Sequence, residues 1–140
     1  MVESWTITVL TLLDDSYPLI YSITKDTSDG LKFVGFWCDI AADYLFAGDT
    51  TIGDNCSFHC KGWSGNTVRI FLRELGVNYR MLPKYSPELN PAERVFSFLK
   101  AQLRFHFTAQ ADLLVCITTS LDKITIPMMI GWYQGSGYLK

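Results

Sequence analysis

At 140 residues, 49% hydrophobic and 14% aromatic, the chain is long enough for one domain with its own core and too apolar to be disordered. Its formal net charge of −2 gives no reason by itself to expect a polyanionic partner. No apolar run approaches the ~20 residues that span a bilayer and no cleavable leader is visible, so a chain without membrane contact, intracellular and with reduced thiols, is expected.

The total charge conceals an asymmetry. Residues 1–60 carry two bases, Lys25 and Lys32, against nine acids. Residues 61–104 carry eight bases (Lys61, Arg69, Arg73, Arg80, Lys84, Arg94, Lys100, Arg104) against Glu74, Glu88 and Glu93. A basic middle on an acidic chain suits a phosphate-facing surface, and equally a solvated charged face. The four cysteines are Cys38, Cys56, Cys60 and Cys116. "CSFHC" brings Cys56, His59 and Cys60 together without a second ligand pair, so free thiols are expected rather than a four-coordinate zinc.

In chain order, "WTITVLTLL" (5–13) is rich in β-branched residues and predicts a strand. "DDSYP" is turn chemistry, and "LIYSITK" (19–25) returns as the second strand of a hairpin. A loop with Ser28 as cap candidate leads into helical spacing at Phe33, Val34, Trp37, Ile40, Ala41, Tyr44 and Leu45. "TTIGDN" predicts a short strand that ends in Asp54 and Asn55. "GNTVRIFLRELG" sets Val68, Phe71, Leu72 and Leu75 on one face of a helix that stops at Gly76, with Arg69 and Arg73 four apart on its polar side. "VNYRML" alternates as a strand, a helix runs from Pro91 to about Arg104, and another is expected over 111–121. The tail "IPMMIGWYQGSGYLK" has no clear period. Strands alternating with helices predict an α/β layer structure, read as a single domain over residues 1–140 with no separate DNA-binding domain.

"LPKYSPELNPAERVFSFLK" (82–100) places three prolines ahead of a helix. Asn90 suits the N-cap, Pro91 the first helical position and Glu93 the third, the arrangement of a capping box. The helix divides into an apolar face (Val95, Phe96, Leu99, Leu103) and a polar face (Glu93, Ser97, Lys100, Arg104). A carboxylate beside two bases suits a metal together with a phosphate backbone, or else an exposed, salt-bridged face.

"LPKYSPELNPAE" resembles the "LPPYSPDLNPIE" segment of DDE transposases of the mariner and bacterial insertion-sequence type. Leu82, Pro83, Tyr85, Ser86, Pro87, Leu89, Asn90, Pro91 and Glu93 match, with Glu88 in place of Asp. "GDNCSFH" supplies Asp54, Asn55 and His59 in the arrangement of the family's second acid, and "GWYQGSGY" is similar to the aromatic-Gly-Tyr ending of many members. The resemblance implies a ribonuclease-H-like fold and an enzyme that cuts and joins DNA strands during transposition and integration. It implies Asp54 and Glu93 as the second and third metal-holding acids, with Mg²⁺ or Mn²⁺ as cofactor and a two-metal mechanism. Asn55, His59, Arg69, Arg73, Lys84, Lys100 and Arg104 are then expected at the DNA. Transposon DNA and a second copy of the chain are the expected partners, and in a eukaryote the nucleus is the expected compartment. The family's first acid lies on the first, central strand of the sheet. Only "MVES" precedes Trp5, and Glu3, Asp14, Asp15 and Asp49 fall where they do not substitute, so a chain without that strand, inactive alone, is expected. Two other readings stand beside it: a non-enzymatic nucleic-acid-binding protein, and a plain α/β domain in which Glu93 is only a cap.

Overall fold

The computed structural model describes residues 5–25, 30–53, 62–83, 86–106 and 112–139. These form two compact units, one of Met1–Leu10 with Tyr21–Ser86 and one of Thr11–Ile20 with Pro87–Lys140. Strand β1 (Trp5–Thr11) pairs with β2 (Leu19–Lys25) as the expected hairpin. Its turn is closed by the Leu12 N–H donating to the Pro18 carbonyl at 2.9 Å, and Asp14 accepts from the Ser16 N–H in an Asx-type contact.

In the first unit the expected helix forms, but not as one regular α-helix. A short α1 (Gly30–Gly35) widens into a π turn (Phe36–Ile40) and then tightens into a 3₁₀ turn (Ala41–Tyr44). Phe33, Phe36, Trp37 and Ala41 are buried along it. The Trp37 ring sits edge-on to Phe33, Phe36 and Tyr79, at 6.2, 6.2 and 6.0 Å, and so ties this segment to the sheet.

Strand β3 (Thr50–Gly53) lies parallel to β4 (Asn78–Met81), with Thr50 opposite Asn78 and Gly53 opposite Met81. A parallel pair needs a crossover, and α2 (Gly62–Glu74) supplies it while packing on α1. Thr51 and Gly53 are buried on one side of β3, whereas Thr50 and Ile52 are exposed on the other. Helix α2 ends in a Schellman turn. Gly76 (φ +78°) donates to Arg73, and Val77 donates to Leu72 at 2.9 Å. The hydrophobic contact of that motif is Leu72 with Val77, both buried. Burying Leu72 completely stabilises the unit by about 1.5–3 kcal/mol. Among the described residues no ladder joins the β1–β2 pair to the β3–β4 pair.

The second unit is helical. Helix α3 (Pro91–His106) buries Pro91, Val95 and Leu99, one residue per turn, and exposes Glu93, Ser97, Lys100 and Arg104. Helix α4 (Leu113–Asp122) is capped by Asp112, whose carboxylate accepts from the Leu114 and Val115 N–H groups. The unassigned tail is a third helix, α5 (Ile126–Gly135), capped by Thr125 and carrying Pro127 in its first turn. Phe98 on α3 meets Trp132 on α5 at 6.1 Å, and Tyr138 just past α5 bonds the Leu89 carbonyl just before α3. From Leu89 forward to Phe98, the contacting residues step back from Tyr138 to Trp132. The two helices are therefore antiparallel, and α5 ends beside the start of α3. No single described helix is long and apolar enough to cross a membrane.

Candidate active site at the start of α3

The loop into α3 is built from two consecutive caps. Pro87–Leu89 form a 3₁₀ turn, which the Asn90 N–H closes by donating to the Pro87 carbonyl at 3.0 Å. Asn90 then caps α3: its Oδ1 accepts from the Ala92 N–H, and its carbonyl accepts from the Glu93 N–H, both at 3.0 Å. Pro91 occupies the first helical position, where its missing N–H costs nothing.

This corrects the capping-box expectation. The reciprocal arm of that motif needs the Asn90 N–H for the Glu93 side chain, and the 3₁₀ turn has already taken it. Glu93 is exposed, and its carboxylate makes no hydrogen bond or ion pair among the described residues. The position one turn on is Ser97, not a base. Lys100 and Arg104 lie roughly 10 and 16 Å along the axis from Glu93, at 1.5 Å per residue. Among the described residues this face therefore carries no salt bridge.

The same geometry leaves Lys100 and Arg104 one turn apart with like charge, both exposed and without an ion pair among the described residues. Such a pair costs an isolated helix about 0.2–0.5 kcal/mol, a cost that an external anion would remove. On α2, Arg69 and Arg73 repeat the spacing. Arg73 is exposed, whereas Arg69 is half-buried and has contacts of its own.

Strand β3 ends at Gly53, the residue before Asp54, where the Gly53 carbonyl accepts from the Leu82 N–H at 2.9 Å. A Cβ at Gly53 would strike the Tyr79 hydroxyl and come within 3.1 Å of its ring, so only glycine fits there. Asp54, Asn55, His59 and Lys84, with Cys56 and Cys60, lie outside the described residues. Among the described residues no three His, Cys, Asp or Glu side chains converge as a metal site, and the strands β1 to β4 carry no acid at all. Among the described residues Glu93 offers one hard oxygen donor, the ligand type that Mg²⁺ or Mn²⁺ takes, and not a complete site. Cys38 and Cys116 are free thiols, half-buried, and burial together with neighbouring Asp39 pushes Cys38 up from its usual range.

Sequence reasoning did not anticipate the residues that hold this loop from the C-terminal side. The Tyr138 hydroxyl donates to the Leu89 carbonyl at 2.6 Å, and the Tyr138 ring packs edge-on against Tyr133 at 5.9 Å. The Tyr133 hydroxyl donates to the Thr11 carbonyl at 3.1 Å and lies 2.7 Å from the Thr11 hydroxyl. Burial raises both phenols above their ordinary range, so both stay protonated and able to donate. The signal was present in "GSGY", a glycine one residue before a tyrosine just past a helix end.

The chain is of mixed α/β class, with an exposed acid at the start of α3. The family profile described as DDE superfamily endonuclease matches residues 3–114. The chain belongs to the DDE superfamily of endonucleases, whose substrate is DNA and whose members typically use divalent metal ions. No curated protein and no solved structure matches it significantly.

Proposed function

We propose that this chain is a DNA-binding domain of transposase descent in which Asp54 and Glu93 are the metal-holding acids, and that it does not cut DNA alone. The observation that carries the reading is Glu93, exposed and relieved of any capping duty inside the matched region. Divalent cations supply the stabilisation of the attacking and leaving oxygens in this chemistry. The chain's own contribution is to hold two carboxylates and to track the backbone with Lys100, Arg104 and Arg73, joined by Arg69, Lys84, Asn55 and His59. The absence of cleavage is part of the proposal, supported by the described strands β1 to β4, none of which carries the first acid that the ribonuclease-H-like fold places on a central strand. A second copy of the chain is the proposed protein partner. A plasmid-nicking assay with Mg²⁺ or Mn²⁺ tests this. DNA binding without cleavage is expected, and robust metal-dependent cleavage abolished by Glu93→Gln would overturn the inactivity.

The second reading, a nucleic-acid-binding protein with no enzymatic role, is favoured by the like-charged pair Lys100 and Arg104. It predicts DNA binding that is indifferent to Mn²⁺ and to Glu93→Gln but steeply salt-dependent.

A further inference from the structure

We propose that Tyr138 is a positioning residue for Glu93: its hydroxyl locks the turn from which α3 starts, and so fixes where the Glu93 carboxylate is presented. The inference rests on the reading of Glu93 as a metal-holding acid, but its structural half stands independently. Tyr138 lies beyond the region that the family profile matches, 3–114.

The Leu89 carbonyl falls between two short helical pieces. The Asn90 N–H goes to Pro87, and the Glu93 N–H goes to Asn90. The Glu93 N–H is the donor that a helix running back to Leu89 would use, so no helical donor remains for the Leu89 carbonyl. Tyr138 satisfies it from across the chain, at a distance near the short end for an O–H···O bond.

The donor is itself held on three sides. Helix α5 ends in a full Schellman turn: Gly137 donates to Gln134 and Tyr138 donates to Tyr133, both at 3.0 Å. Gly137 has φ +91°, a left-handed conformation in which a side chain is strained. The hydrophobic contact of that motif is the Tyr133–Tyr138 ring pair. Tyr133 in turn is bonded to Thr11, the last residue of β1. The resulting chain of contacts is Thr11, Tyr133, Tyr138, Leu89, Asn90, Glu93. It links the end of a strand to the start of the helix that bears the acid.

The test uses the full chain, isotope-labelled, with two variants. Tyr138→Phe keeps the ring contact and removes only the hydroxyl; Gly137→Ala strains the turn that presents it. Amide hydrogen exchange at Asn90, Ala92 and Glu93 is expected to accelerate about 5-fold in Tyr138→Phe, the factor that corresponds to one ordinary hydrogen bond. Exchange in α4 should be unchanged. In parallel, paramagnetic broadening of the Glu93 carboxyl carbon by Mn²⁺ should need several-fold more Mn²⁺ in both variants. Unchanged exchange at all three amides would overturn the lock. Faster exchange with an unchanged Mn²⁺ response would overturn the positioning role. Absence of any Mn²⁺ response in the unmodified chain would overturn the metal reading of Glu93 and with it the positioning of a ligand, a result distinct from failure of the lock.

Discussion

Asn90→Ala and Glu93→Gln separate capping from presentation at the same helix start. Asn90 makes three bonds at this junction, through Oδ1 from the Ala92 N–H, through its carbonyl from the Glu93 N–H and through its own N–H to Pro87. The alanine variant keeps both backbone bonds and forfeits the side-chain one, which costs about 1 kcal/mol for an N-cap of this kind. For a chain of this size that is a fall in Tm of about 4 °C. Glu93 contributes only the attraction of an exposed carboxylate for the helix N-terminus, about 0.3–1 kcal/mol at low salt. Since Glu93 is exposed, even that fades as salt is added. Thermal unfolding followed by circular dichroism at low and high salt is the assay. The expected result is a salt-independent loss for Asn90→Ala and a smaller loss for Glu93→Gln that vanishes at high salt. A loss in Glu93→Gln as large as that of Asn90→Ala, and persisting at high salt, would refute the argument that the carboxylate is free of the cap.

Lys100→Glu with Arg104→Glu should lower DNA affinity and flatten its dependence on log salt by about 0.9 for each phosphate no longer neutralised, measured by fluorescence anisotropy. Gly53→Ala drives a methyl into Tyr79 and should cost about 1–3 kcal/mol by overpacking, read from urea unfolding. Gly131→Ala in α5 meets nothing within 4 Å and should stabilise the chain by about 1 kcal/mol, by the helix propensity of alanine. The raised phenols of Tyr133 and Tyr138 set an alkaline limit. Their contribution is fully present below about pH 10, the unfolded value, because there both states hold the proton. It is lost as pH rises through the higher folded values, where the unfolded chain binds fewer protons. The decline measured in urea titrations above about pH 10 should be shallower in Tyr133→Phe and Tyr138→Phe.

The elements with a strong period were legible in the sequence: the hairpin around "DDSYP", the crossover helix with its Gly76 stop, and α3 behind its Asn-Pro cap. The departures have local causes. Phe33, Phe36, Trp37 and Ala41 fit an α-helical stripe whether or not the backbone widens between them, so periodicity could not reveal the π turn. Helix α5 is not legible in the sequence because Pro127, Gly131 and a nearly uniform apolar composition leave no polar face to count. At the site, the cap residues and the polar face were legible. That the Asn90 N–H was already committed was not, because a 3₁₀ turn three residues long has no period. The Tyr138 bond spans 49 residues and lies beyond any local pattern.

The most direct test of the central claim is a Mn²⁺ titration of the ¹³C-labelled chain, followed at the carboxyl carbons. The account predicts that Asp54 and Glu93 broaden together, at the same Mn²⁺ concentration, and that Glu93→Gln weakens the response of Asp54 as well. Broadening of one without the other, or an Asp54 response that Glu93→Gln leaves untouched, would contradict the claim that the two acids hold one metal.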